Sequence, residues 1–208
     1  MMIGRLYEKH LLPKMLDCCC STKPINYQRN KVVPYAKGKI LEIGIGSGIN
    51  IPFYKKSQIE KLYGLDPSEE LNHMALKVAN KHNLDVEFLL SGAEEIPLPS
   101  NSIDTILITY TLCTIPDLNS SMSEMKRVLK DDGNFLFCEH GIAPDLNIVK
   151  WQNRINPVWG KLFGGCSINR DIPDIIQSSG FKLNKLNQMY LPSTPKIVGY
   201  NYWGHACL

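Results

Sequence analysis

Three glycines at alternate positions follow a short apolar run in the first quarter of the chain. The run is Lys39-Ile40-Leu41-Glu42-Ile43, and the glycines are Gly44, Gly46 and Gly48. An apolar run of this length that ends in glycine is typical of a buried parallel strand, and glycine lets the backbone turn sharply beneath a ligand. The pattern therefore predicts a strand and loop that bind a nucleotide-like cofactor.

The spacing of the glycines narrows the choice of cofactor. The fingerprint of NAD and FAD enzymes has glycine at its first, third and sixth positions, whereas the sixth position here is Ile49. No lysine followed by serine or threonine closes the loop, so a phosphate-binding P-loop is also unsupported. A cofactor without phosphate groups suits this loop.

A carboxylate ends the next strand-like run. Asp66 follows Lys61–Leu65 and stands 22 positions after Gly44. A carboxylate at the tip of a second strand, about 20 residues past such a loop, can accept hydrogen bonds from both hydroxyls of a ribose. Asp66 could instead begin a turn or cap the helix that follows, because Pro67-Ser68-Glu69-Glu70 has the composition of a helix start.

An acidic residue followed by Gly-x-Gly-x-Gly resembles the first motif of class I S-adenosylmethionine (SAM) dependent methyltransferases; Glu42 stands two positions before Gly44. The resemblance implies SAM as cofactor and S-adenosylhomocysteine as product. Many relatives have Gly-Asp-Ala-Glu after the third strand, and here Gly92 replaces the aspartate, so backbone groups, helped by Glu94, are expected to hold the adenine. The implied cofactor-binding residues are Glu42, Gly44, Ile45, Gly46, Gly48, Asp66, Pro67, Gly92, Ala93, Glu94 and Thr109.

Further segments resemble the ubiquinone/menaquinone methyltransferase group, and within it the branch related to alkyl-thiol methyltransferases. They are Leu112-Cys113-Thr114-Ile115, Glu139-His140, and Gly165-Cys166 with Arg170 four residues on. The order of the motifs argues for SAM binding more strongly than these segments argue for any acceptor. The resemblance implies a thiol-like acceptor.

The acceptor is expected at the carboxyl ends of the first and fourth strands, where ligands of open α/β sheets bind. Residues 109–113 should face the reacting methyl group, with Cys113 lining the pocket rather than acting as a nucleophile. His140 is the candidate general base, since histidine titrates near neutral pH, although a hydrogen-bonded structural role is equally compatible. Glu139, Trp151 and Trp159 complete the expected acceptor-binding set.

The length of 208 residues predicts one α/β domain. The resemblance implies a Rossmann-like, seven-stranded, mostly parallel sheet with helices on both faces and an antiparallel last strand. Residues 1–38 are expected to form a helical extension that caps the site of the core, residues 39–208. The expected elements include a helix at 68–81, strands at 85–90 and 134–138, an aromatic insertion at 148–165, and a final hairpin of 181–191 and 197–207.

The amino-acid composition limits which partners and which cellular compartment are expected. Lys and Arg number 23 against 20 Asp and Glu, and the basic residues are scattered, so no nucleic-acid partner is expected. No apolar run approaches the roughly 18 residues of a membrane span, and the first residues lack a signal-peptide pattern. We therefore expect a cytoplasmic protein, either monomer or homodimer, with peripheral membrane contact left open.

The seven cysteines include no Cys-x-x-Cys pair, and no metal site is expected from local spacing. An odd number of cysteines favours reduced thiols. The run Cys18-Cys19-Cys20 is interpreted as small buried packing residues, with a thiol redox role or acylation as alternatives.

Three hypotheses remain. The first is a methyltransferase acting on a small, apolar, thiol-like acceptor. The second is a phospholipid N-methyltransferase at the membrane surface, for which the apolar N-terminal stretch with Lys9, Lys14 and Lys23 would be the docking face. The third is a non-catalytic SAM-binding protein that regulates a partner.

Overall fold

A computed structural model describes residues 12–208 of the chain. The expected helical extension begins before that range, so the part of it at residues 1–11, including Lys9 of the membrane hypothesis, lies outside the described residues.

The described residues form a seven-stranded sheet in the order β3-β2-β1-β4-β5-β7-β6. β7 runs antiparallel to both β5 and β6, while the other neighbouring strands are parallel, which confirms the expected sheet and its antiparallel last strand. The strands are β1 (Gly38–Ile43), β2 (Ile59–Leu65), β3 (Glu87–Leu89), β4 (Ile103–Thr109), β5 (Leu129–His140), β6 (Lys182–Tyr190) and β7 (Tyr200–Cys207).

Helices surround the sheet. They are α1 (Leu12–Cys20), α2 (Lys23–Arg29), α3 (Glu69–Lys81), α4 (Leu118–Val128), α5 (Leu146–Leu162), α6 (Ile172–Ser178) and α7 (Lys196–Gly199), with 3-10 turns at Val33–Tyr35, Ile51–Phe53 and Lys56–Gln58. Across residues 12–208, no helix has the length and apolar character that crossing a membrane requires.

The sheet has its topological switch point at β1. β1 pairs with β2 on one side and with β4 on the other, both in parallel. The chain therefore leaves β1 in one direction and returns on its opposite side, which opens a crevice at the carboxyl ends of these strands. The glycine run, Asp66 and Thr109 all stand at that edge.

Apolar side chains on both faces of the central strands make the core. One cluster includes Leu41, Ile43 and Ile106, against which the α4 residues Met122 and Met125 pack. These side chains are at most 1% exposed. Because burying such a side chain contributes roughly 1.5–3 kcal/mol, the central strands and α4 form a firm base for the loops at their ends.

Several strand boundaries differ from the prediction. The strand predicted at 197–207 begins only at Tyr200, because residues 197–199 belong to α7. β3 spans only Glu87–Leu89, and β5 begins at Leu129, directly after α4. Leu129 pairs with Ile103 and Asn134 with Thr105, so residues 130–133 bulge out of the ladder between those two pairs. Residues 130–133, which precede the strand predicted at 134–138, are therefore an irregularity within β5.

The aromatic stretch expected as an insertion is mostly helix. α5 has 17 residues, with Pro157 inside it, and buries Gln152. The Gln152 amide donates to the carbonyls of Gly141 (3.1 Å) and Ile168 (2.9 Å), and its oxygen accepts from the N–H of Ala143 (3.0 Å). These bonds fasten α5 to the end of β5 and to the loop that follows α5.

Candidate active site

The glycine loop, residues 44–48, turns directly beneath a cavity. Gly44 and Gly46 have φ angles of +68° and +56°, which favour glycine. A Cβ on Gly44 would come within 2.4 Å of the Thr111 side chain, whereas one on Gly46 would meet nothing nearer than a carbonyl oxygen at 3.9 Å. Gly44 thus permits close packing of the loop after β4, and Gly46 leaves open space for a ligand.

Asp66 stands at the tip of β2 and fixes the glycine loop. Its Oδ2 accepts a hydrogen bond from the Gly46 N–H (3.1 Å), and its Oδ1 accepts from the Ser68 N–H (2.9 Å). Burial raises the pKa of Asp66 despite these two bonds. The carboxylate therefore begins the turn into α3 and also lines the cavity, while the cap of α3 is the Ser68 hydroxyl, which accepts from Leu71 N–H.

Glu42 lies in a buried polar network below the glycine loop. It is 1% exposed, and it accepts hydrogen bonds from Asn50 Nδ2 (2.8 Å) and from the Tyr54 hydroxyl (2.7 Å). Burial raises the pKa of Glu42 to about 7, against the opposing effect of these two donors. Glu42 thus holds the residues that follow the glycine loop.

Arg29, at the end of α2, supplies a buried positive charge that the motifs did not predict. Its Nη1 donates to Asn50 Oδ1 (2.8 Å) and to Thr109 Oγ1 (2.5 Å), and its guanidinium carbon lies 4.9 Å from the centre of the Tyr110 ring. Arg29 is 4% exposed, and its Nε has no hydrogen-bond partner within residues 12–208. Because Arg29 lines the cavity, its buried positive charge is available to an anionic part of a ligand.

The cavity has a volume of about 610 Å³ and mostly apolar walls. This volume suits a cofactor together with a small second ligand. One end is formed by the glycine loop, Asp66 and Arg29. The other end is lined by residues from the loop after β4, from the end of β5, and from α5 and the loop after it: Tyr110, Thr111, Cys113, His140, Trp159, Phe163 and Cys166.

Two thiols and an imidazole meet at this second end. We call Cys113, His140 and Cys166 the thiol–imidazole cluster; one side-chain donor atom from each lies within 4.8 Å of the other two. Cys166 Sγ is 3.4 Å from His140 Nε2. Hydrogen bonding from Cys113, with a further contribution from His140, lowers the pKa of Cys166 to about 4 against the effect of burial.

The pKa values of the two partners of Cys166, Cys113 and His140, are raised. The hydrogen bond with Cys166 and burial raise the pKa of the Cys113 thiol, and the negative charge of Cys166 adds to this effect. Burial opposes the charged form of His140, but the hydrogen bond with Cys166 and the nearby Glu139 outweigh it, so the pKa of His140 is raised. The indole N–H of Trp159 also favours the Cys166 thiolate, although that contact lacks hydrogen-bond geometry.

Glu139 bonds the loop that carries Cys113 and does not itself line the cavity. Its Oε1 accepts from the N–H groups of Thr111 (2.8 Å) and Leu112 (3.0 Å), while its Oε2 has no partner within the described residues. Burial raises its pKa to about 7. Glu139 thus ties the loop that carries Cys113 to the strand that carries His140, and its predicted contact with an acceptor stays a prediction.

Other predicted site residues divide into two groups. Those that line the cavity are Ile45, Thr109, His140 and Trp159. The Trp159 ring stacks on the Phe163 ring, with 4.0 Å between the ring centres. Outside its lining lie Gly48, Pro67, Gly92, Ala93, Glu94 and Trp151.

Each of the outlying residues has a place in the fold. Gly48 packs on Ala75 of α3, and Glu94 Oε1 accepts from the Asp117 N–H at 3.5 Å. Trp151 is 54% exposed, because its neighbour Gln152 occupies the buried side of α5. The adenine and acceptor roles predicted for these residues stay predictions.

The N-terminal helix α1 borders the glycine loop. The Ser47 hydroxyl donates to Asp17 Oδ1 (2.5 Å), and Asp17, Cys19 and Cys20 line the cavity. Cys18 and Cys19 are exposed, which corrects their interpretation as buried packing residues. Burial raises the pKa of Cys20 to about 11.

Comparison with known proteins agrees with this geometry. Residues 41–137 match the family described as "Methyltransferase domain". Thiol S-methyltransferase TMT1A of Homo sapiens is 28% identical over 83% of this chain and 72% of its own. The ubiquinone/menaquinone biosynthesis C-methyltransferase UbiE of Rickettsia bellii is 31% identical over 51% of this chain and 46% of its own.

The fold has solved relatives too. A structure of geranyl diphosphate C-methyltransferase from Streptomyces coelicolor A3(2), in complex with Mg²⁺, geranyl diphosphate and S-adenosyl-L-homocysteine, superposes with a TM-score of 0.66. It is 14% identical over 87% of this chain and 76% of that chain. The chain is a SAM-dependent methyltransferase.

The residues of the methyltransferase fit the SAM cofactor. Open space above Gly46 can admit a ligand close to the backbone, and the Asp66 carboxylate has lone pairs left for ribose hydroxyls. The buried Arg29 guanidinium lines the cavity, and its positive charge can pair with the carboxylate of the cofactor's amino-acid part. The apolar end of the cavity then remains for the acceptor.

Sequence reasoning missed Arg29, Asn50 and the cluster role of Cys166. Arg29 and Asn50 carry no motif, and only the tertiary fold joins them to Glu42 and Thr109. Cys166 did give a signal, since Gly165-Cys166 was part of the resemblance to the thiol-related branch.

Proposed function

We propose that this methyltransferase transfers the methyl group of SAM to the sulfur of a small apolar thiol. The single observation that carries the proposal is the chemistry of the acceptor end of the cavity. Aromatic and aliphatic side chains wall it, and its polar groups include the thiol–imidazole cluster. The similarity to a protein named thiol S-methyltransferase supports the same acceptor class.

SAM supplies a methyl group already activated on a sulfonium sulfur, so the protein's main task is to position the acceptor and exclude water. The loop of residues 109–113 does the positioning, because it joins the glycine loop to the cluster. Thr111 packs against Gly44, and Cys113 faces the acceptor end. Positioning of this kind can contribute up to ~7–11 kcal/mol.

An acceptor thiol also has to lose its proton. A thiol has a reference pKa of about 8.5, so a minority of it is ionised at neutral pH. The group of the thiol–imidazole cluster that can favour its thiolate is His140, the base predicted from the sequence, which lines the cavity. An amine or carbon acceptor would find a cavity end rich in sulfur and poor in carboxylates, which favours a thiol.

The test uses methyl-labelled SAM with straight-chain alkyl thiols of increasing length. Each methylene that enters the apolar end contributes about 0.8 kcal/mol, so kcat/KM is expected to rise about fourfold per methylene until the cavity is filled. Short amines, quinols and phospholipid vesicles are tested in parallel. Label found in lipid or amine instead of thioether would refute the thiol proposal, as would SAM binding without any transfer.

Two tryptophans on α5 give a matched pair of variants. Trp159→Ala removes a wall of the cavity and is expected to flatten the chain-length dependence, whereas Trp151→Ala removes an exposed side chain and should leave it unchanged. Equal effects of the two substitutions would show that the acceptor does not bind at this end.

A further inference from the structure

The thiol–imidazole cluster has the composition of a metal site with an open position. We propose that Cys113, His140 and Cys166 bind one Zn²⁺ ion, whose fourth position faces the cavity and takes the acceptor sulfur. This inference rests on the proposed thiol acceptor. Two thiolates and one imidazole form one of the ligand sets of catalytic zinc, which keeps its fourth position for water or substrate.

The distances suit tetrahedral zinc. Zn–S bonds of about 2.3 Å and Zn–N bonds of about 2.0–2.1 Å place sulfur and nitrogen ligands roughly 3.5 Å apart around one ion. Cys166 Sγ and His140 Nε2 are 3.4 Å apart. No donor atom of the cluster is more than 4.8 Å from another, so small side-chain movements bring Cys113 Sγ to bonding distance.

The backbone holds the three ligand-bearing segments together. The Ser167 N–H donates to the Cys113 carbonyl (2.9 Å), which joins the two cysteine loops directly. Arg170 donates to the carbonyls of Leu112 and Ile115, on either side of the Cys113 turn. Together with Glu139, which bonds the N–H groups of the same loop, these contacts fix the ligands before any ion binds.

The surroundings favour a soft metal over an alkaline-earth ion. Cys113 and Cys166 are 2% and 8% exposed and pack with Ile168, Trp159 and Phe163. Thiolate and imidazole ligands select zinc, whereas Mg²⁺ and Ca²⁺ require oxygen ligands that the cluster does not provide. All three ligands also line the cavity, so the open position is accessible to an acceptor.

Zinc at this position would give the acceptor its reactive form. The acceptor thiol releases its proton to solvent as its sulfur binds the ion. The acceptor sulfur then forms a bond to the methyl carbon while the bond from that carbon to the sulfonium sulfur breaks, and the bonding electron pair stays on the sulfonium sulfur. The products are the methyl thioether and S-adenosylhomocysteine, with no change of oxidation state.

The test begins with metal-stripped protein kept reduced and titrated with Zn²⁺ and with Co²⁺. We expect one equivalent per chain, with the thiolate-to-cobalt charge-transfer band and the intense visible bands of tetrahedral cobalt. Cys166→Ser and Cys113→Ser should each weaken Zn²⁺ binding at least about 100-fold. Cys207→Ser, on β7 and away from the cavity, is the matched control and should bind as the wild type does.

The three cysteines of α1 need their own control, because they could bind metal independently. A variant with serine at Cys18, Cys19 and Cys20 should keep the cobalt spectrum. Addition of an alkyl thiol should then change the visible bands, since its sulfur enters the open position. Unchanged metal binding in Cys166→Ser, or loss of binding in the α1 variant alone, would overturn the site.

Activity separates this inference from the proposed function. Thiol methylation that requires Zn²⁺ supports both, and full thiol methylation by metal-free protein overturns the zinc inference while leaving the thiol acceptor in place. The third outcome is that one tetrahedral metal ion binds per chain but the methyl group goes to another acceptor and to no thiol. This result would refute the thiol acceptor, and with it the role of the ion in activating that acceptor.

Discussion

Glu42 makes the stability of this methyltransferase depend on pH in a predictable direction. Burial raises its pKa from 4.5 to about 7, so the folded state prefers the neutral carboxyl. The contribution is fully present below pH 4.5, where both states are protonated. It is lost as pH rises from 4.5 to about 7, because the unfolded state then releases a proton that the folded state retains.

The magnitude follows from the shift. A difference of one pKa unit corresponds to 1.36 kcal/mol, so between pH 5 and pH 8 Glu42 should remove about 2–3 kcal/mol from the free energy of unfolding. Glu42→Gln cannot ionise and should remove this dependence. Its amide oxygen still accepts from one of the two donors, and the Tyr54 hydroxyl can rotate to accept from the new amide N–H.

The assay is urea unfolding of the cofactor-free protein at pH 5 and pH 8. Glu42→Gln should lose less stability than the wild type over this interval, by about 2–3 kcal/mol. Glu60→Gln is the control, because Glu60 is an exposed β2 residue paired with Lys39 at 3.6 Å and should retain the wild-type pH dependence. Equal changes in wild type and Glu42→Gln would refute the assignment of the titration to Glu42.

Three further substitutions test other parts of the structure. Asp66→Ala should weaken SAM binding at least about tenfold in calorimetry, since hydrogen bonds to a charged group contribute roughly 1.5–3 kcal/mol each; unchanged affinity would remove Asp66 from the site. Arg29→Gln should also weaken SAM binding about tenfold or more, and a normal affinity would show that Arg29 is purely structural. Burial opposes ionisation of Asp104, but hydrogen bonding from Lys130 and from the Lys39 N–H lowers its pKa. Asp104→Asn should therefore lower the free energy of unfolding by about 1 kcal/mol at pH 7, and by less as pH falls below 3.8. The same loss at pH 7 and pH 2.5 in urea unfolding would contradict that pairing.

The cofactor end of the cavity could be predicted because its signals are local. The glycine spacing needs only the backbone freedom of a few consecutive residues, and Asp66 is placed by one strand and its turn. The apolar stripe and the Ser68 cap likewise define α3, which begins at Glu69 within a residue of the prediction. Each of these features is decided by neighbours in sequence, so periodicity and residue type suffice.

The strand edges were less predictable because partner strands decide them. β3 is short since only three of its residues pair with β2. The bulge in β5 depends on its register against β4, which no pattern in residues 129–134 encodes. For the same reason β5 begins at Leu129, earlier than the strand predicted at 134–138.

The buried charges were missed for a related reason. A lone arginine on a short helix is usually solvated, and only the packing of α2 against the sheet edge places Arg29 between Asn50 and Thr109. The cluster ligands lie 27 and 26 residues apart along the chain, as the numbers of Cys113, His140 and Cys166 show. No spacing rule for zinc covers such intervals, so the absence of a local motif was no guide to the folded arrangement.

The two ends of the cavity are carried by different elements, and this separation has a functional consequence. The cofactor end is built from β1, β2 and α2, while the acceptor end uses the end of β5, α5 and the loop after it. Residues 109–113 connect them: Thr109 accepts from Arg29, and the Cys113 carbonyl accepts from Ser167. A substitution at Cys166 should therefore change turnover with thiol and leave SAM affinity near that of the wild type. Arg29→Gln should weaken SAM affinity and leave turnover near that of the wild type once SAM is saturating. If both variants lost affinity and turnover equally, the two ends of the cavity would act as one unit.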